Sequence, residues 1–141
     1  MGSEMCIRDS NEGIISPTQR SGDPRGNSGH YTRYYWGMFD AYYNAFNGAK
    51  PLCFTEIGYL SGEGVGGVGR FDWAANTTLA QQAQWLGEAV TLSKDSGKVR
   101  LMIIWNVDIR SSGDDPQVGY SIIRPDGNCP ACANIQAAMG R

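Results

Sequence analysis

The sequence has one histidine, His30, no run of lysine or arginine, and no apolar stretch longer than Leu101 to Trp105. Each shortage removes a class of function. A bilayer-spanning helix needs about 20 apolar residues, so this stretch is too short to cross a membrane. The 12 basic and 14 acidic residues leave a net charge of −2 with no basic stripe. Nucleic acid is therefore not an expected partner. The G-x-S-x-G elbow of serine hydrolases is absent, and His30 stands in a polar loop with no nucleophile motif to serve. The N-terminus lacks an apolar secretory segment, which leaves the compartment open.

Cysteine is scarce too. Cys6, Cys53, Cys129 and Cys132 do not make a disulfide scaffold in 141 residues. Cys53 lies in an apolar strand pattern and reads as a small buried hydrophobe. Cys129-Pro130-Ala131-Cys132 is formally C-x-x-C, but zinc needs two further ligands and one histidine does not supply them. No metal and no cofactor are expected. A thioredoxin-like redox site would need a strand-to-helix setting, which the sequence leaves open. The simpler reading is a turn into a helix with Pro130 at its first position.

What is present suits a packed domain: 41% of residues are hydrophobic and 11% aromatic. Residues 1–10 show neither helical nor strand period and read as a non-native leader, so the fold is sought in residues 11–141. Residues 16–30 are loop-like. Tyr35, Phe39, Tyr42 and Phe46 recur at helical spacing and predict a helix over Tyr31 to Phe46, closed by Asn47-Gly48. Residues 51–57 predict a strand, followed by a glycine-rich loop from Gly58 to Asn76. Thr78-x-x-Gln81 is a capping box, and Leu79, Ala83, Leu86 and Val90 form the buried face of a helix that Gly97 stops. Val99 to Asn106 reads as a parallel strand covered on both faces. Tyr120 to Ile123 predicts a brief strand and Pro130 to Met139 a last helix.

Two strands separated by roughly forty residues imply a right-handed parallel crossover. A third strand is expected from Ile14-Ile15 and neighbours, or from sequence beyond the chain. In parallel α/β folds chemistry gathers at the carboxyl ends of strands. Glu56 ends the first strand and Trp105, followed by Asn106, ends the second. Strict alternation would put Leu52, Phe54 and Glu56 on one face, and Leu101, Ile103 and Trp105 on another. A carboxylate beside an indole suits a sugar, whose apolar face packs on the ring.

The segment Lys50-Pro51-Leu52-Cys53-Phe54-Thr55-Glu56-Ile57-Gly58-Tyr59, followed one unit later by Ile104-Trp105-Asn106, resembles the last two strands of clan A retaining glycoside hydrolases. The resemblance covers residues 50–110. It implies a cellulase-like (β/α)8 barrel of which this chain is a C-terminal part, from the end of strand six through helix eight. A complete barrel takes about 250 residues. It further implies Glu56 as nucleophile of a double displacement, with carbohydrate as the partner. Trp105, Asn106, Tyr59 and Glu12 would touch substrate, and Asp108 and Arg110 could line subsites. Asn11-Glu12 mimics the family's acid/base dipeptide but stands one unit before Glu56, too close for that role. Glu12 is therefore assigned to the rim, and the isolated chain is expected to be inactive by the full mechanism. Exposed sheet edges would let it self-associate.

Competing readings stay open at this point. One is a non-catalytic carbohydrate-binding or structural barrel. Another is a small nucleotide-binding α/β domain, because Gly62-Glu63-Gly64-Val65-Gly66-Gly67 matches G-x-G-x-x-G after a strand. Against it, Arg70 to Thr77 intervene before the helix, and Glu88 falls within that helix. Asn76-Thr77-Thr78 is a glycosylation sequon, relevant only in a secreted eukaryotic protein.

Overall fold

The computed structural model describes residues 5–7, 12–23, 25, 29–65, 68–109 and 115–140. Strand β3, Leu52–Tyr59, is its centre. It pairs in parallel with β4, Val99–Ile104, along most of its length. Two short strands follow one another along β3: β1, Met5–Ile7, opposite Leu52 to Phe54, and β2, Glu12–Gly13, opposite Gly58 and Tyr59. Helix α1, Tyr35–Ala45, precedes β3; α2, Leu79–Ser96, joins β3 to β4; α3, Pro130–Met139, ends the fold.

The partial-barrel expectation is corrected by this sheet. Among the described residues it is open, with only two strands of substantial length and one helical crossover joining them. The molecule is a small α/β fold. A closed sheet would give β4 a second neighbour, and β3 is the one strand it pairs with here. Met5–Ile7 lies in the stretch set aside as a leader, yet its backbone pairs with β3. Ladder hydrogen bonds use main-chain groups that every residue but proline carries, so the pairing is indifferent to those side chains. The third strand comes from Glu12–Gly13, neighbours of the expected Ile14-Ile15.

The helices form where capping and periodicity coincide. Thr78 caps α2: its hydroxyl accepts from the Gln81 amide at 3.1 Å, and the Gln81 side chain accepts from the Thr78 amide at 2.9 Å. Gly97 ends α2 at φ 62°, a left-handed position that glycine takes without steric cost. Tyr31–Arg33 forms a separate 3-10 turn before α1, so the expected aromatic helix is shorter than its sequence pattern. Its stripe is core at Tyr35 and Phe39, but Phe46 is exposed. The glycine-rich loop contains a 3-10 segment, Gly69–Ala74. Pro116–Tyr120 is another. The brief strand expected over Tyr120 to Ile123 is not formed, although the Ile122 and Ile123 amides donate to the Asn106 and Val107 carbonyls.

One core joins the three helices to β3. Tyr35, Met38 and Phe39 of α1, Trp85, Leu86 and Ala89 of α2, and Ala131 of α3 meet Leu52, Phe54, Ile57 and Tyr59. From β4, Met102 and Ile104 face the same cluster. Leu101, Ile103 and Trp105 do not: they are 44%, 48% and 37% exposed. The expectation that β4 is covered on both faces is thus corrected. An unbroken apolar run fits a doubly buried strand but equally fits one with an apolar open face.

Candidate functional site

The site is built on an irregularity in β3. Phe54 pairs with Met102 and Ile57 with Ile104, so three steps on β3 match two on β4. One residue is extra, the signature of a β-bulge at Thr55 and Glu56. The bulge swaps the parity of the strand. Leu52 and Phe54 point to the helices before it, and Ile57 and Tyr59 point to the helices after it. The expected grouping of Glu56 with Leu52 and Phe54 is therefore corrected. Glu56 adjoins core-facing Ile57 and projects to the opposite face, where it is half-buried.

Trp105 reaches the same face from β4. Its amide donates to the Ile57 carbonyl at 2.8 Å, which sets it one residue beyond Glu56 on the neighbouring strand. The peptide joining Trp105 to Asn106 is cis. Gly58 makes this approach possible: a Cβ there would strike the Trp105 carbonyl oxygen. The indole is exposed but fixed, since its Nε1–H donates to Gln117 Oε1 at 3.1 Å. Asn106 secures the turn behind it. Its Nδ2 donates to the Gln117 carbonyl at 3.1 Å, and its Oδ1 accepts from the Ser121 hydroxyl at 2.6 Å and the Ile109 amide at 3.2 Å.

These bonds redistribute the expected roles. Asn106 is buried with its amide engaged inside the turn, so it holds the platform instead of meeting a substrate. Tyr59 is fully buried, packed edge-on to Trp85 at 5.5 Å, and belongs to the core and not to a subsite. Burial pushes its phenol pKa upward. Glu12 pairs through its backbone with Gly58, two residues past Glu56; its side chain lies outside the described residues, as do Asn11 and Arg110. Asp108 is exposed, three residues beyond Trp105. Gln117 and Ser121 went unnoticed in the sequence, since isolated polar residues in a loop carry no pattern.

The nucleotide-binding expectation meets a specific obstacle. The N-terminus of α2 already carries a carboxylate, because the Leu79 amide donates to Glu63 Oε2 at 2.7 Å. A phosphate would have to displace it as well as the Thr78 capping box. Glu88, the acidic residue that would meet a ribose, lies within α2 and accepts from Ser16 and Gln84. Gly66 and Gly67 of the motif lie outside the described residues.

The loop before α1 is pinned by charge. Asp23 is buried and accepts from Arg25 and Arg33. Burial works to raise its pKa, but those two guanidiniums hold it below the ordinary carboxylate value. Arg25 in turn lies over the Trp73 ring, 4.5 Å from its centroid.

No family model, no curated protein and no solved structure matches the chain. The resemblance to retaining glycoside hydrolases thus rests on the residues of the two strand ends.

Proposed function

We propose that the chain carries the nucleophile of retaining glycoside hydrolysis, with Glu56 attacking the anomeric carbon of a sugar packed on Trp105. The observation supporting this is the bulge at Thr55 and Glu56, which turns the carboxylate out of the helix-facing core and onto the face that Trp105 occupies. In such a mechanism the carboxylate forms a glycosyl ester as the aglycone departs. A second carboxyl, about 5–5.5 Å away, protonates the leaving oxygen and later activates water. That second role is assigned to no residue of this chain. The first half-reaction does not need it when the leaving group departs unprotonated.

The test is therefore a 2-deoxy-2-fluoro glycoside bearing fluoride or dinitrophenolate. Intact mass and peptide mapping should find one glycosyl group per chain, on Glu56, and none on Glu56→Gln. A label on another residue refutes the nucleophile assignment. A second reading, carbohydrate binding without chemistry, is favoured by the exposed indole that Gln117 fixes. It predicts oligosaccharide binding that Trp105→Ala abolishes, with no covalent label at any position.

A further inference from the structure

We propose that Cys129 and Cys132 form a thiol–disulfide exchange site for a cysteine-containing, apolar stretch of polypeptide. The two residues are bonded to each other with Cα atoms 5.4 Å apart. The bridge closes one turn and ties no second element to α3. Loop-closure entropy grows with the length of the loop, so a ring this short constrains the unfolded chain least. Stapling the fold is therefore not what this bond does best.

Its surroundings suit exchange. Cys129 is the N-cap residue of α3, and the first turn of that helix holds no acidic side chain. Amide N–H groups at a helix N-terminus stabilise a thiolate there. Cys129 also shares a cleft of about 480 Å³ with Arg124. Arg124 is 4% exposed, and its Nε and Nη1 find no hydrogen-bond partner among the described residues. A buried guanidinium with unmatched N–H groups favours an anion nearby. Two carboxylates, Glu63 and Asp126, also favour the charge of Arg124, but the bonds they accept come from other residues. Asp126 accepts from the amide and side chain of Asn128 at 2.9 and 2.7 Å, and Glu63 accepts from Leu79.

Cys132 faces elsewhere. It is exposed and borders an apolar groove of about 600 Å³ whose walls include Met102, Ile104, Val107, Ile122, Ile135 and Met139. Apolar side chains flanking a substrate cysteine would fill that groove and bring its sulfur to Cys132. The substrate thiolate attacks Cys132 Sγ, the Cys129–Cys132 bond breaks, and Cys129 leaves as a thiolate. A lower thiol pKa makes it the better leaving group. A second substrate thiolate then attacks the substrate sulfur of the mixed disulfide and releases the Cys132 thiolate. The substrate dithiol is oxidised by two electrons and the protein disulfide is reduced by two.

The oxidised chain should be mixed at pH 7 with a short peptide carrying two cysteines flanked by leucine and isoleucine. One peptide disulfide should form per chain, at least tenfold faster than with oxidised glutathione. Replacing the flanking residues by serine should slow it severalfold. In Cys132→Ser, alkylation of Cys129 followed by mass spectrometry should titrate at least one unit below the ordinary thiol value of about 8.5. Exchange no faster than glutathione, or Cys129 titrating at or above that value, overturns the proposal. So does unfolding of the chain on reduction, the mark of a structural bridge.

Discussion

Gln82 makes the strongest prediction about what holds the strand ends in place. It is 2% exposed on α2, and its Nε2 donates to the Tyr59 carbonyl at 2.6 Å and the Gly119 carbonyl at 3.0 Å. One side-chain amide thereby ties the end of β3 to the 3-10 segment that carries Gln117. Gln82→Met keeps most of the volume and removes both donors. The Gly119 carbonyl keeps the Ser61 amide at 3.0 Å, so the loss is mainly that of the bond to Tyr59, about 1–3 kcal/mol. At about 2.1 cal/mol/K per residue, 141 residues give an unfolding entropy of about 0.3 kcal/mol/K. The melting temperature should then fall by about 3–10 °C. Urea titration should show a lower midpoint with an unchanged slope. Gln84→Met is the control, because Gln84 is exposed and its amide donates to Glu88 one turn along the same helix; it should change stability by less than about 0.5 kcal/mol. If the two variants melt within 2 °C of each other, the bonds of Gln82 do not carry the load assigned to them.

Four other outcomes follow from the same geometry. Thr78→Ala removes the hydroxyl that accepts from Gln81 and should cost about 1 kcal/mol in urea titration, while Thr78→Ser should recover most of it. Burial pushes the Tyr35 phenol up to about 12, against the lowering effect of its bond to Ser93. The unfolded chain therefore loses this proton first as pH rises past about 10, and stability should fall between about pH 10 and 12, less steeply in Tyr35→Phe. Gln117→Leu should shift the Trp105 indole N–H resonance and weaken any oligosaccharide binding severalfold, with Gln117→Glu restoring both because a carboxylate still accepts the bond. The exposed row on β4, whose edge away from β3 takes no strand among the described residues, should cause concentration-dependent association in sedimentation, and Ile103→Lys should reduce it.

The helices were legible because their signals are local. Thr78 with Gln81, the spacing of Ala83 and Leu86, and Gly97 all act within one or two turns, and each does in the structure what its position suggests. The sheet was less legible because strand length, closure and coverage are set by distant partners. Leu101 to Trp105 is the clearest case. Its composition is that of a doubly covered strand, but Met102 and Ile104 alone have helices to pack against, so the alternate residues stay exposed. Nothing within those five residues encodes whether a second layer lies over them.

The site shows the same division more sharply. Trp105 follows the last residue of β4, as expected, but Glu56 falls inside β3, three residues before its end at Tyr59; that the two strands are neighbours follows from a single crossover. The face each occupies did not follow from alternation alone. For β4 the alternation is regular beyond Leu101, and Leu101, Ile103 and Trp105 share a face as expected. For β3 an extra residue reverses it, and a rule with period two fails at the first inserted residue. Without the bulge, Glu56 would follow Leu52 and Phe54 into a core lined by Tyr35, Leu86 and Ala89, where an ionised carboxylate would meet no charge partner. The irregular register keeps that charge out of the core and also returns Ile57 and Tyr59 to it. Glu56→Leu should accordingly keep the bulge, because Ile57 and Tyr59 still owe their burial to it, and the backbone chemical shifts of Thr55 to Tyr59 should retain their wild-type pattern.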